Sequence, residues 1–145
     1  MHEQAYQSQS EEETFEIAKR LGTDCKGGEV FLLNGDLGVG KTVFSKGLGK
    51  GLGITEPIVS PTFTILQIYE EGRLPFYHFD VYRISDISEM DEIGYEDYFS
   101  SSGVCLIEWA ELIRDILPDR CISVTIEKEL SKGENYRSIR ICRNE

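Results

Sequence analysis

Two uninterrupted apolar runs stand out along the chain, one inside "EVFLLNG" (Glu29 to Gly35) and one opening "VCLIEW" (Val104 to Trp109). A strand covered on both faces has no polar side to show, so both runs read as buried strands of a parallel sheet. Elsewhere the pattern changes. Thr62 to Tyr69 and Phe76 to Tyr82 are rich in β-branched and aromatic residues and flank Glu70-Glu71-Gly72-Arg73, which predicts a β-hairpin. Cys121 to Ile126 and Arg137 to Cys142 read as a closing antiparallel pair around "SKGEN".

Helical spacing fills the gaps between these strands. Phe15, Ala18 and Leu21 share one helix face behind Ser10-Glu11-Glu12-Glu13, a capping-box signature with an acidic first turn, so a first helix is predicted from Glu11 to Leu21. A second begins at Lys41 and loses helical propensity at Gly47, Gly49 and Gly51, where its end is expected. Ile87, Met90 and Ile93 mark a helical stretch from Ser85 to Phe99 broken at Gly94, and a short helix runs from Trp109 toward Leu117, stopped by Pro118. The order αβαββαβαββ predicts an α/β fold, a mixed β-sheet sandwiched between helices.

The chain of 145 residues is the length of a single domain with one core. No apolar run approaches the roughly 20 residues of a membrane span, and "MHEQAYQSQSEEE" lacks the basic and apolar regions of a secretory signal, so a cytoplasmic protein is expected. Charge narrows the choice of partners. Fifteen Lys and Arg against 26 Asp and Glu leave −11, a surface that repels nucleic acid phosphates, so any RNA is expected to be held by a partner. Cys25, Cys105, Cys121 and Cys142 form no C-x-x-C clip and read as free thiols.

The chemistry is concentrated after the first apolar strand. Gly35-Asp36-Leu37-Gly38-Val39-Gly40-Lys41-Thr42 matches G-x-x-x-x-G-K-[ST] at every fixed position, between a strand and a helix, which predicts a P-loop NTPase-like phosphate site. Glycines let backbone amides close on phosphate oxygens, and the helix beginning at Lys41 adds its dipole. Lys41 can bridge the terminal phosphates of a nucleotide, and the Thr42 hydroxyl can bind Mg²⁺.

Such a site needs a carboxylate at the end of a neighbouring strand. Glu108 ends "VCLIE" and is the better magnesium acid; Asp80 ends "FYHFD" and becomes the candidate for orienting or deprotonating an attacking water. "VSPTFT" offers Ser60, Thr62 and Thr64 beside Pro61, which fits either a γ-phosphate sensor or the beginning of an ordinary strand. His78 reads as a packed or hydrogen-bonded histidine, and Trp109 as a half-buried core residue.

Together, "GDLGVGKT", "SPTFT", "YHFDVYR", "EIGYEDYF" and "LIEW", in this order, resemble the TsaE family, the ATPase of bacterial tRNA threonylcarbamoyladenosine biosynthesis. The resemblance spans about Glu11 to Pro118. It implies a small ATPase using ATP and Mg²⁺ that acts with TsaD and TsaB, reaches tRNA only through that complex, and lets the modification turn over. On the matching positions it implies that Asp36, Leu37, Gly38, Val39, Gly40, Lys41 and Thr42 cradle the phosphates. Thr42 and Glu108 would hold the metal, Asp80 would be the catalytic acid, and Ser60 and Thr62 would lie in a switch-like loop. It also raises Tyr82 and Trp109 as residues at the site edge or facing a partner, brings the start of the first helix, around Glu11, toward the adenine, and puts Arg137 in the place of an arginine the family carries in its last hairpin. Unlike many members, this chain continues "AELIRD" after "LIEW", without a glycine-containing segment.

Two other readings share the phosphate loop. A small-molecule kinase usually carries an arginine-rich lid, whereas Arg114, Arg120, Arg137, Arg140 and Arg143 are scattered. The other is a nucleotide-dependent assembly factor in which binding, without hydrolysis, drives association.

Overall fold

The computed structural model describes residues 2–36, 40–61 and 64–143. Its strands are β1 (His2–Ser8), β2 (Val30–Asn34), β3 (Leu66–Tyr69), β4 (Phe76–Asp80), β5 (Val104–Glu108), β6 (Ile122–Lys128) and β7 (Arg137–Arg143), in one sheet of order β1-β7-β6-β2-β5-β4-β3. The two apolar runs pair side by side and parallel as β2 and β5, with β6 and β4 parallel on their outer sides. Antiparallel partners close both edges, β3 against β4 and β7 with β1 beyond β6.

Helices cover both faces. α1 (Glu11–Thr23) and α2 (Lys41–Gly51) bury Ala18, Leu21, Phe44 and Leu48 against Phe31, Leu33, Leu106 and Val124. α3 (Ser88–Ile93) and α4 (Tyr95–Phe99), joined at Gly94 in the left-handed region (φ 80°), pack Met90 and the α4 aromatics over Val30, Tyr77, Phe79, Cys105 and Ile107. The architecture is the expected α/β sandwich of mixed sheet with a P-loop NTPase-like arrangement.

The predicted cap of α1 forms: the Ser10 hydroxyl accepts the Glu13 amide at 3.1 Å, and the Glu13 carboxylate accepts the Gln9 amide at 2.9 Å. The second helix does run to Gly51, but its glycines do more than weaken it. A methyl group added at Gly47 would sit 2.5 Å from the Phe15 carbonyl oxygen, so α1 and α2 approach at backbone distance there.

Three expectations are corrected. β1 was not anticipated, because "HEQAYQS" is exposed over most of its length and carries no apolar period; its pairing comes from the β7 backbone, and Ser8 alone is buried. The predicted strand from Thr62 starts only at Leu66. Thr64 and Ile65 donate to the Pro61 carbonyl in a turn, and Ile65 adopts a left-handed φ of 67°. The helix predicted from Ser85 starts at Ser88, since the Glu89 carboxylate accepts the Ser85 and Asp86 amides and folds that stretch into a turn.

Candidate functional site

Parallel strands deliver their C-terminal ends to one edge of the sheet, where open α/β sheets bind ligands. Here that edge carries Asn34 and Asp36 after β2, Asp80 at the end of β4 and Glu108 at the end of β5. Asp80 and Glu108 are register partners, so two acids 28 positions apart in the chain stand side by side on the α2 side of the sheet. Both are buried.

A buried carboxylate is costly unless paired. Glu108 has two partners: His78 Nε2 lies 2.8 Å from its Oε2, and Lys41 Nζ lies 3.9 Å from its Oε1. An ionised carboxylate only accepts, so Nε2 carries the proton of that hydrogen bond. The Lys41 ammonium also sits 4.9 Å from the Trp109 ring centroid, and Trp109 packs against Tyr82 with ring centroids 4.7 Å apart. Trp109 holds this place through a left-handed backbone (φ 64°) at the turn between β5 and a run of 3-10 helix, Ala110–Ile116. Its partial burial against the core is as expected, and it also forms a wall of the cavity.

Asp80 is held differently. Its Oδ1 accepts the Tyr82 amide at 3.1 Å, and its own amide donates to the Ile65 carbonyl at 2.8 Å. The turn following Ser60 and Pro61 is thereby tied to the strand end that presents the acid. Ser60 is exposed. On the far side of that loop, the Tyr69 hydroxyl accepts the Val59 amide at 3.0 Å.

α2 opens at Gly40 (φ 108°), with Lys41 and Thr42 as its first two residues, so its free amides face the same edge. Leu37, Gly38, Val39 and Thr62 lie outside the described residues. A cavity of about 610 Å³ opens between the loop and β6, lined by Asn34, Asp36, Lys41, Trp109, Glu111 and the stretch Thr125 to Lys128, among others. Glu11 and Arg137 do not line it. They come near one end of it: Arg137 pairs in register with Ser8, just before α1, and with Lys128 of the cavity wall, while its guanidinium donates to the Glu134 and Tyr136 carbonyls.

The donor set suits a hard cation. Thr42 and Glu108 offer a hydroxyl and a carboxylate, and magnesium at phosphate sites takes few protein oxygens, with phosphate and water completing the shell. Among the described residues no group of three His, Cys, Asp or Glu side chains makes a self-sufficient metal cage. Sequence reasoning missed Asn34, Glu111 and the β6 residues of the cavity wall. The signal for Asn34 and the β6 residues was their position at the C-terminal ends of strands, whereas Glu111 lies in the 3-10 run beyond β5.

Residues 8–139 match the profile of the family described as "Threonylcarbamoyl adenosine biosynthesis protein TsaE". The tRNA threonylcarbamoyladenosine biosynthesis protein TsaE of Bacillus subtilis is 48% identical over 128 residues, covering 88% of this chain and 78% of that protein. The protein of the same name from Treponema pallidum is 41% identical over 119 residues, covering 82% and 87%. The crystal structure of Bacillus subtilis YdiB superposes with a TM-score of 0.82 at 40% identity, covering 97% of this chain and 84% of that one. No helix among the described residues is long and apolar enough to cross a membrane. With 132 of its 145 positions inside the matching profile, the chain belongs to the TsaE family of tRNA threonylcarbamoyladenosine biosynthesis.

Proposed function

We propose that this chain is a magnesium-dependent ATPase whose hydrolysis lets the TsaD and TsaB proteins turn over in tRNA threonylcarbamoyladenosine synthesis, in the cytoplasm. The observation that carries the reading is the meeting of Lys41, Glu108 and Asp80 at the mouth of the glycine loop. Lys41 lies between Glu108 and the Trp109 ring. The β- and γ-phosphates of ATP are stronger partners for an ammonium than one carboxylate. Lys41 would bind those phosphates, and Glu108 and Thr42 would hold Mg²⁺ beside them.

Bound magnesium supplies charge neutralisation at the phosphate oxygens. The protein does the positioning. Amides of the loop and of the α2 start bind the phosphates, and Asp80, held by the Tyr82 amide, orients water and takes its proton. Ser60 lies on the chain just before the turn tied to Asp80, a placement that suits a γ-phosphate sensor, and Thr62 is assigned with it on the sequence motif alone. The net charge of −11 supports indirect contact with tRNA, through the partners.

The test is reconstitution of multiple-turnover tRNA modification by TsaD and TsaB with this chain or its variants. Wild type restores turnover. Lys41→Ala abolishes it together with ATP binding, and Asp80→Asn binds ATP and partners but lowers turnover by about 10²-fold or more. Turnover undiminished in Asp80→Asn would mean that binding alone drives assembly. The isolated chain hydrolyses ATP slowly, because phosphoryl-transfer sites are often completed by a partner. Full-rate hydrolysis unaffected by TsaD and TsaB contradicts the reading.

A further inference from the structure

The imidazole of His78 is 1% exposed, in the middle of β4, and its ring stacks on Phe76 at 5.9 Å between centroids. Its neighbours in register are Gln67 on β3 and Leu106 on β5. Its Nδ1 is buried and has no hydrogen-bond partner among the described residues. One polar group answers it, the Glu108 carboxylate, diagonally across the β4–β5 pair at 2.8 Å. A ring that served packing alone would be better replaced by phenylalanine or leucine, since an unpaired buried nitrogen is costly. The cost is offset at one atom, the Oε2 of Glu108.

From this geometry we infer that His78 is a positioning residue: its Nε2–H fixes the Glu108 carboxylate, leaving Oε1 turned toward Lys41 and the phosphate loop for the metal. This rests on the ATPase reading above. The imidazole is placed to touch the carboxylate and not the nucleotide or metal; it selects one rotamer of that acid. Hydrogen bonds of this kind to ligating carboxylates change metal affinity by 10–100-fold when removed.

The experiment is calorimetric titration of the full chain with ATP in the presence of Mg²⁺ and of EDTA, giving the factor by which the metal tightens binding. In His78→Leu that factor falls about tenfold or more, toward one, while binding in EDTA stays within about twofold. His78→Gln, which keeps an N–H at similar reach, stays within about threefold of wild type. In the Glu108→Gln background His78→Leu has no further effect. An unchanged magnesium factor in folded His78→Leu, a loss in His78→Gln equal to that in His78→Leu, or additive effects with Glu108→Gln each overturn the inference.

A measurement on the wild-type chain decides the matter even if His78→Leu does not fold. With His2 and His78 the only histidines, nitrogen NMR reads the His78 ring directly. A protonated Nε2 whose proton resonance moves between the ATP–EDTA and ATP–Mg²⁺ states supports the inference, and the same resonance in both overturns it. If magnesium fails to tighten ATP binding even in wild type, the ATPase reading falls as well; if wild type responds and the His78 variants respond equally, this inference alone falls.

Discussion

At Glu108 one requirement is plain: a buried acid must be paired. His78 and Lys41 meet it by taking opposite oxygens. The acid was legible in the sequence because it ends an apolar run, but its histidine partner, 30 positions earlier, was visible only once β4 and β5 were paired. The cysteines show the same division. That they are free thiols follows from spacing; which of them can react follows from depth. Burial pushes the Cys25 and Cys105 thiols from an ordinary 9.0 up to about 12. Cys121 is raised chiefly by burial and further by the Asp119 carboxylate. The thiolate is the nucleophile, so alkylation of the native chain at pH 8, read by peptide mass spectrometry, is expected at Cys142 first, then Cys121, with Cys25 and Cys105 modified only after denaturation. The sign of the linkage follows. The two buried thiols are neutral in the fold while the unfolded chain ionises above pH 9.0, so their contribution to stability is full below that pH and is lost as pH rises toward 12.

At the scale of elements, α2 is where local propensity and tertiary demand differ. Three glycines in eleven residues weaken an isolated helix, yet they let α1 and α2 touch along their backbones. Gly47→Ala tests which effect wins. Alanine gains about 1 kcal/mol of helix propensity. Its methyl group would meet the Phe15 carbonyl at 2.5 Å and the Ala18 methyl at 2.9 Å, and a helix backbone cannot yield as a side-chain tip does. The steric term is the larger, and a net loss of about 1–3 kcal/mol is expected from the urea midpoint of unfolding. Strand β3 shows the opposite mismatch. Its β-branched and aromatic run reads as continuous strand from Thr62, but Thr64 and the left-handed Ile65 turn back to the Pro61 carbonyl, and the Ile65 carbonyl accepts the Asp80 amide. A pattern of side chains carries no sign of a backbone hydrogen bond made to another strand.

Across the described residues, the sheet is parallel where the candidate site lies and antiparallel at its edges. β1 closes one edge by covering β7, with Ser8 bonded to Thr14 at 2.7 Å and to the Ser10 carbonyl at 2.8 Å. Removing residues 1–8 would uncover the β7 edge and unseat the start of α1. The truncated chain is expected to melt several degrees lower and to self-associate, measured by calorimetry and by light scattering after gel filtration, because an exposed strand edge is a template for pairing. An unchanged melting temperature and a monomeric truncation would show that β1 contributes nothing. The sequence by itself determined the two buried parallel strands, the phosphate-loop pattern between strand and helix, the acids at Asp80 and Glu108, and the closing hairpin. Each of these is written in local order, as an apolar run, a fixed spacing or a turn. Only the tertiary structure decided that β1 joins the sheet, that Trp109 walls the site and that His78 holds Glu108. Those depend on which strands lie side by side, a choice made by burial of the whole sheet and not by any short stretch of residues.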